Sequence, residues 1–175
     1  MIERIIIAGS GGQGVMLLGK VLAQGAMLEG KQVTWFPAYG PEVRGGTSHC
    51  MVTISDTEIG SPYIAKADVL IILNNPSLEK FKSRLKNKGL LIFDSSLGLI
   101  KPSKLMEIIQ FPFTEIALKL GNIKVANMVA LGSYLSARQV IKPAHILEVF
   151  QFLAPAGNLK ILEINRAALE EGERL

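Results

Sequence analysis

The run Arg4-Ile5-Ile6-Ile7-Ala8, followed by Gly9-Ser10-Gly11-Gly12-Gln13-Gly14, constrains the fold more than any other part of the sequence. A short isoleucine run bounded by glycines is the pattern of a strand buried on both faces, as in a parallel sheet. After the glycines, residues 15–29 have helical periodicity, with Met16, Gly19, Ala23 and Met27 able to share a face and Gly30 where a C-cap glycine belongs. Residues 32–36 then read as a second strand. Strand, glycine turn, helix and strand in this order make a βαβ unit with a right-handed crossover.

The rest of the chain continues the alternation. Strands are predicted over 47–55, 68–73, 89–93 and, ended by Pro112, at a sheet edge over 105–111. A turn at Asp56-Thr57 is followed by a short return strand at 58–59. Helices are predicted over 77–87, 114–120, 122–140, 143–153 and 158–173, with a helical turn at 63–67 and a loop over 37–46. The expected fold class is α/β: a three-layer, Rossmann-like, mostly parallel sheet with helices on both faces. With 175 residues, 49% hydrophobic and 19% charged, the chain is expected to be one domain, 1–175, and is too apolar for disorder.

Charge and cysteine content narrow the function. The net charge is +4, with the cations read as spread along the chain, so neither a nucleic-acid nor a membrane footprint is expected. The start, Met1-Ile2-Glu3-Arg4, has no cationic leader or cleavage site, and no apolar run reaches the ~20 residues of a spanning helix. A cytoplasmic location is expected. Cys50 is the only cysteine, which excludes an internal disulfide, a Cys-ligated iron–sulfur cluster and any Cys-x-x-Cys site.

The glycine turn fits G-x-G-x-x-G in a strand–helix context. Gly9, Gly11, Gly12, Gln13 and Gly14 are the candidate anion-binding or partner-contact residues, because glycines admit close approach and a helix N-terminus offers unpaired N–H groups. A dinucleotide site also needs an acid about 20 residues on. Residues 31–36 supply none, and the first carboxylate beyond them is Glu42. No Gly-Lys-Ser/Thr follows, so a Walker A loop is excluded. The remaining readings are an anion, a carboxylate from a partner chain, or glycines required only for packing.

The loop Tyr39-Gly40-Pro41-Glu42-Val43-Arg44-Gly45-Gly46 leaves the carboxyl end of the second strand, where crevices form in open α/β sheets. Arg44, flanked by glycines, can reach a carboxylate or phosphate. His49 and Cys50 are strand neighbours pointing to opposite faces, and His145 is placed in a helix first turn with no acid or thiol expected to partner it, so both histidines read as structural. Asn74, Asn75 and Asp94 fall at strand carboxyl ends, where turn chemistry and helix capping account for them. No catalytic residue and no metal cluster is expected in this chain.

Several segments together carry a resemblance. Ile7-Ala8-Gly9-Ser10-Gly11-Gly12-Gln13-Gly14, the 39–48 segment ending Arg44-Gly45-Gly46-Thr47-Ser48, Ile59-Gly60-Ser61-Pro62 and the stretch from Gly121 through Asn127 to Gly132 resemble the gamma subunit of 2-oxoacid:ferredoxin oxidoreductases. The 39–48 form resembles the 2-oxoglutarate and branched-chain types more than the pyruvate type, although Met often stands at the position of Val43. The small subunit of indolepyruvate ferredoxin oxidoreductase is the nearest confusable relative.

The resemblance implies a structural subunit of a multisubunit enzyme that decarboxylates a 2-oxoacid, 2-oxoglutarate by preference, to acyl-CoA and carbon dioxide while reducing ferredoxin. Thiamine diphosphate, Mg, iron–sulfur clusters and coenzyme A would then be held on or with alpha, beta and delta (ferredoxin-like) subunits. It also implies that Tyr39, Gly40, Pro41, Glu42, Arg44, Gly45, Gly46 and Asn127 form the interface, joined by the small-residue helix after Asn122. The alternative from another class is a free-standing nucleotide-binding α/β enzyme or sensor.

Overall fold

Six strands join in one sheet in the computed structural model, which describes residues 1–38, 47–153 and 158–174. The strands are β1 (Ile2–Ser10), β2 (Gln32–Ala38), β3 (Thr47–Ser55), β4 (Ala67–Ile72), β5 (Leu85–Asp94) and β6 (Met106–Phe111). The helices are α1 (Val15–Leu28), α2 (Asn75–Phe81), α3 (Phe113–Lys119), α4 (Ala126–Ala137), α5 (Pro143–Leu153) and α6 (Leu159–Glu173). None is long and apolar enough to cross a membrane. The sheet order is β2-β3-β1-β4-β5-β6, with β1, β4, β5 and β6 parallel and β3 antiparallel to both β1 and β2.

The first βαβ unit is therefore split. β1 and β2 run the same way, but β3 lies between them. Burial explains the insertion: β3 carries Cys50 and Val52 to one core and Met51 to the other, whereas every residue of β2 keeps some solvent contact. Pro37, which has no N–H for a ladder, suits the edge that β2 occupies.

Alternation along β1 loads two cores. Ile5 and Ile7 face α1, α3, α4, α5 and α6; Ile6 and Ala8 face α2 and Ile64. These are the three expected layers, with five helices on one side and one on the other among the described residues.

Four local expectations change. The predicted helix over 77–87 stops at Phe81, passes through a 3-10 turn over Lys82–Arg84 and becomes β5 at Leu85. Leu78, Phe81 and Leu85 do face one core, so their spacing identified the buried face while the backbone changed type beneath it. Residues 63–67 form no helix; Ile64 is buried with its N–H directed at Met51 Sδ, 3.2 Å away, and Ala67 opens β4. No strand forms at 58–59. The helix predicted over 122–140 is a 3-10 turn over Ile123–Val125 followed by α4, which ends where Arg138 becomes extended.

The small residues of α4 also have a different partner from the one expected. Gly132 crosses Gly172 of α6 so closely that a Cβ on either would overlap the other helix's backbone. Residues 127–135 are all buried, so α4 is covered by this chain's own α6.

Candidate functional site

Helix α1 follows β1 on one face of the sheet, while α2 follows the neighbouring β4 on the other. The carboxyl ends of β1 and β4 thus flank a topological switch point, where open α/β sheets form their ligand crevices. The glycine turn stands on this rim.

Its five candidate residues divide into two groups. Gln13 braces the turn: its Oε1 accepts from the Ser10 N–H at 2.7 Å and its Nε2 donates to the Leu73 carbonyl, at the end of β4, at 2.8 Å. A Cβ on Gly9 would stand 2.7 Å from that same Oε1, so the brace needs glycine there. Gly14 caps α1 in the left-handed conformation, φ 71°, and its carbonyl accepts from the Leu18 N–H at 2.9 Å and from Asn127 Nδ2 at 3.1 Å. Any Cβ on Gly14 would overlap the Asn127 amide. Gly9, Gln13 and Gly14 therefore lock the turn to β4 and α4.

Gly11 and Gly12 form the second group. Both are exposed, with open space where a side chain would stand, and Gly12 has φ 87°. They present backbone outward at the positive end of the α1 dipole.

Asn127 lies inside the chain. It was expected at a partner interface, but it is 2% exposed and its amide is directed at Gly14. Tyr39, Gly40, Pro41, Glu42, Arg44, Gly45 and Gly46 lie outside the described residues.

The other rim groups are engaged locally. Asn74 caps α2 by accepting from the Ser77 N–H at 2.9 Å, and Ser77 Oγ donates to the Gly9 carbonyl at 3.3 Å. Asp94 is buried and accepts from the Ser96 N–H at 3.0 Å and from the Thr114 N–H and hydroxyl at 3.2 and 2.5 Å. Asn75 donates to the Leu97 carbonyl at 3.3 Å. Turn and capping chemistry accounts for all three.

Cys50 and His49 do point to opposite faces. Burial pushes the Cys50 thiol up to about 12, with Val15 O 3.5 Å from its sulfur, so it is no thiolate nucleophile or ligand. The His49 ring packs 4.7 Å from Phe81 on the other side of the sheet. His145 does have an acid beside it, contrary to the expectation: Glu29 Oε1 lies 3.0 Å from its Nδ1. Glu29 also accepts from the Lys142 N–H at 2.6 Å, and chiefly for that reason its carboxyl is held below the usual range. Those partners are 113 and 116 positions apart in sequence, and no spacing signal connects them.

Among the described residues no three His, Cys, Asp or Glu side chains gather to hold a metal. Cys50 is buried and protonated and the Asp94 carboxylate is enclosed, so neither side chain is placed to hold an iron–sulfur cluster or a metal-bound diphosphate. The dinucleotide reading weakens as well. Because β3 separates β1 from β2, the end of β2 lies two strand spacings from the glycine turn, about 9–10 Å, where a ribose-binding acid would stand one spacing away. What the rim offers is a rigid, outward-facing backbone.

Comparison with known proteins follows this architecture. Residues 4–175 match the family described as pyruvate ferredoxin/flavodoxin oxidoreductase. Ketoisovalerate oxidoreductase subunit VorA of Methanothermobacter thermautotrophicus is 40% identical over 170 residues, 97% of this chain and 35% of VorA. The chain thus spans about a third of that relative's length. 2-Oxoglutarate synthase subunit KorC of Archaeoglobus fulgidus is 38% identical over 148 residues, 84% of this chain and 76% of KorC. The crystal structure of the keto/oxoacid ferredoxin oxidoreductase gamma subunit from Geobacter sulfurreducens superposes with a TM-score of 0.83 at 31% identity, covering 97% of this chain and 95% of that one.

Proposed function

The chain belongs to the pyruvate ferredoxin/flavodoxin oxidoreductase family, and from that premise we propose that it is the gamma-type subunit of a 2-oxoacid:ferredoxin oxidoreductase. In this reading the complex oxidatively decarboxylates a 2-oxoacid to acyl-CoA and carbon dioxide and reduces ferredoxin. Its alpha, beta and delta-type subunits carry thiamine diphosphate, Mg and the iron–sulfur clusters. The likeness to the Geobacter gamma subunit over nearly the whole of both chains supports the gamma assignment.

The observation that carries the reading is the division of the glycine turn. Gly9, Gln13 and Gly14 hold it rigid, while Gly11 and Gly12 present bare backbone and no reacting side chain. Such a surface positions something; it does not transform it. Its role is to seat a carboxylate of a neighbouring subunit or a phosphate of coenzyme A, with Arg44 and the 39–46 segment completing the contact. The chain works as one domain in the cytoplasm. 2-Oxoglutarate is the preferred substrate, chosen by a pocket on other chains; relatives bear both 2-oxoglutarate and ketoisovalerate names.

The experiment is co-expression of the tagged chain with the products of its neighbouring genes, followed by native purification. Recovery of a thiamine-containing complex that reduces ferredoxin in the presence of a 2-oxoacid and coenzyme A supports the proposal. Recovery of the chain alone, with stabilisation by NAD(H) or NADP(H) in a thermal-shift assay, overturns it.

A further inference from the structure

Folding concentrates positive charge at the amino end of the sheet, opposite the glycine turn. The end of α2, the 3-10 turn after it and the start of β5 hold Lys80, Lys82, Arg84, Lys86 and Lys88 within nine residues. This departs from the expectation of evenly spread cations. The fold then adds two more. Lys66 Nζ donates to the Ser83 carbonyl at 2.7 Å, and Arg4 Nη1 lies 4.0 Å from Asp68, which also pairs with Lys86. Glu79 and Asp68 are the carboxylates among these residues. Seven cations against two carboxylates leave five positive charges where the whole chain nets four, so the remainder nets minus one.

The cations are held in a pattern. The Arg84 guanidinium lies 5.3 Å over the Tyr63 ring and 5.7 Å over Phe81, with its N–H groups directed at the Ile64 and Ala65 carbonyls. Lys80 Nζ lies 5.7 Å over the same Phe81 ring. Lys82 and Lys88 are exposed. Lys88 has φ 61°, the left-handed region that favours glycine, and its N–H donates to the Leu105 carbonyl at 2.7 Å. A lysine in a conformation suited to glycine, at an irregularity in the β4–β5 register, points to a use for its side chain.

The intermixed carboxylates select the partner. Glu79 would repel a continuous array of phosphates, and Asp68 already holds Lys86 and Arg4 away from one, whereas a protein surface can set its own cation or amide against Glu79 and reach the remaining cations singly. Tyr63, 59% exposed beneath Arg84, adds the aromatic–arginine pair enriched at protein interfaces. We propose that this face docks the carboxylate-rich surface of a partner protein. It stands at the far end of the sheet from the glycine rim and does not depend on the function proposed for that rim.

The test uses the full chain and a fluorescent polyglutamate peptide of ~20 residues, long enough to span the face, read by anisotropy. Binding should weaken about tenfold between low and physiological salt, as expected of electrostatic docking. It should also weaken at least about tenfold in Lys80→Glu/Lys82→Glu/Lys88→Glu. Lys20→Glu/Lys124→Glu/Lys160→Glu makes the same change in net charge elsewhere and should retain it. Thermal melts establish that both variants fold, and Lys82→Gln/Lys88→Gln replaces the first should it not. Equal loss in the two reversals, tighter binding of a DNA duplex or of phosphatidylserine vesicles, or no binding to polyglutamate overturns the proposal.

Discussion

The Asn127 amide donates to the Gly14 carbonyl at 3.1 Å, joining residues 113 positions apart and fixing the start of α1 against α4. Loss of either partner should loosen the rim. Asn127→Ala removes one of the two donors to the part-buried Gly14 carbonyl, which keeps the Leu18 N–H, and should cost about 0.5–1.5 kcal/mol. Gly14→Ala meets both an unfavourable left-handed φ and overlap with the Asn127 amide, and should cost about 2–4 kcal/mol. The double variant removes the overlap, so its loss should be smaller than the two combined. Urea denaturation of all four proteins measures the coupling; strict additivity would mean that the two residues do not act as one joint.

The crossing of α4 and α6 gives a sharper case. Gly132→Ala and Gly172→Ala each place a Cβ into the opposite helix's backbone, which cannot swing aside as a side chain can. Each should cost about 3 kcal/mol or more, the upper range for overpacking. Gly60→Ala, with open space around it and no positive φ, should stay within about 0.5 kcal/mol. Chemical denaturation distinguishes them, and a neutral Gly132→Ala would refute the close crossing.

Two carboxyl groups should impose opposite pH trends. Asp56 lies 2.5 Å from the Met1 amino group and 2.6 Å from Lys31 Nζ; the hydrogen bond from Lys31, followed by that from the amino terminus, holds its carboxyl near 2, below its ordinary 3.8. Its stabilisation is present above pH 3.8 and disappears as pH falls towards 2. Burial pushes Glu3 upward from 4.5, against the opposing effects of the Tyr134 hydroxyl and Arg138, 3.4 Å away. Folded Glu3 therefore retains its proton where unfolded Glu3 has lost it, so stability falls as pH rises above 4.5. Melting temperatures measured from pH 2 to 7 should rise and then decline, and Glu3→Gln should lessen only the decline, the rest of which comes from Glu173, also pushed upward by burial.

Much of the fold was legible because burial sets local pattern. Residues 47–55 and 143–153 carry the apolar and β-branched or helical signals of β3 and α5, and those bounds match the structure. What a single chain cannot show is which strand lies beside which. The direction of β2 followed from the βαβ pattern, but the insertion of β3 depends on the competition between two strands for a central place. The failure at 77–87 has a related cause: a side-chain period reports the buried face, and Leu85 keeps that face as the backbone leaves the helix. At the rim, G-x-G-x-x-G identified the turn. Its division into a braced half and an open half rests on Leu73 and Asn127, which are distant in sequence and carry no local motif.

The open half of the turn allows assembly to be separated from folding. Gly11 has no positive φ and no neighbour within 4 Å of an added Cβ, so both Gly11→Ala and Gly11→Asp should keep the wild-type melting temperature within a few degrees, a shift of under about 1 kcal/mol. If the chain assembles as proposed, their effects on the complex should diverge. Alanine leaves the N–H groups and the positive end of α1 available. Aspartate brings a carboxylate that occupies those groups and repels an arriving anion or partner carboxylate. The aspartate variant should reduce recovery of partner subunits, or raise the coenzyme A concentration needed for half-maximal rate, by about tenfold, a factor that corresponds to 1.4 kcal/mol. A repeat at high salt separates the two causes, since repulsion is screened and steric exclusion is not. Equal loss in the two variants would show that the rim meets its partner through shape, closely enough to exclude a methyl group, and unchanged assembly and coenzyme A dependence in both would show that Gly11 is not part of the contact.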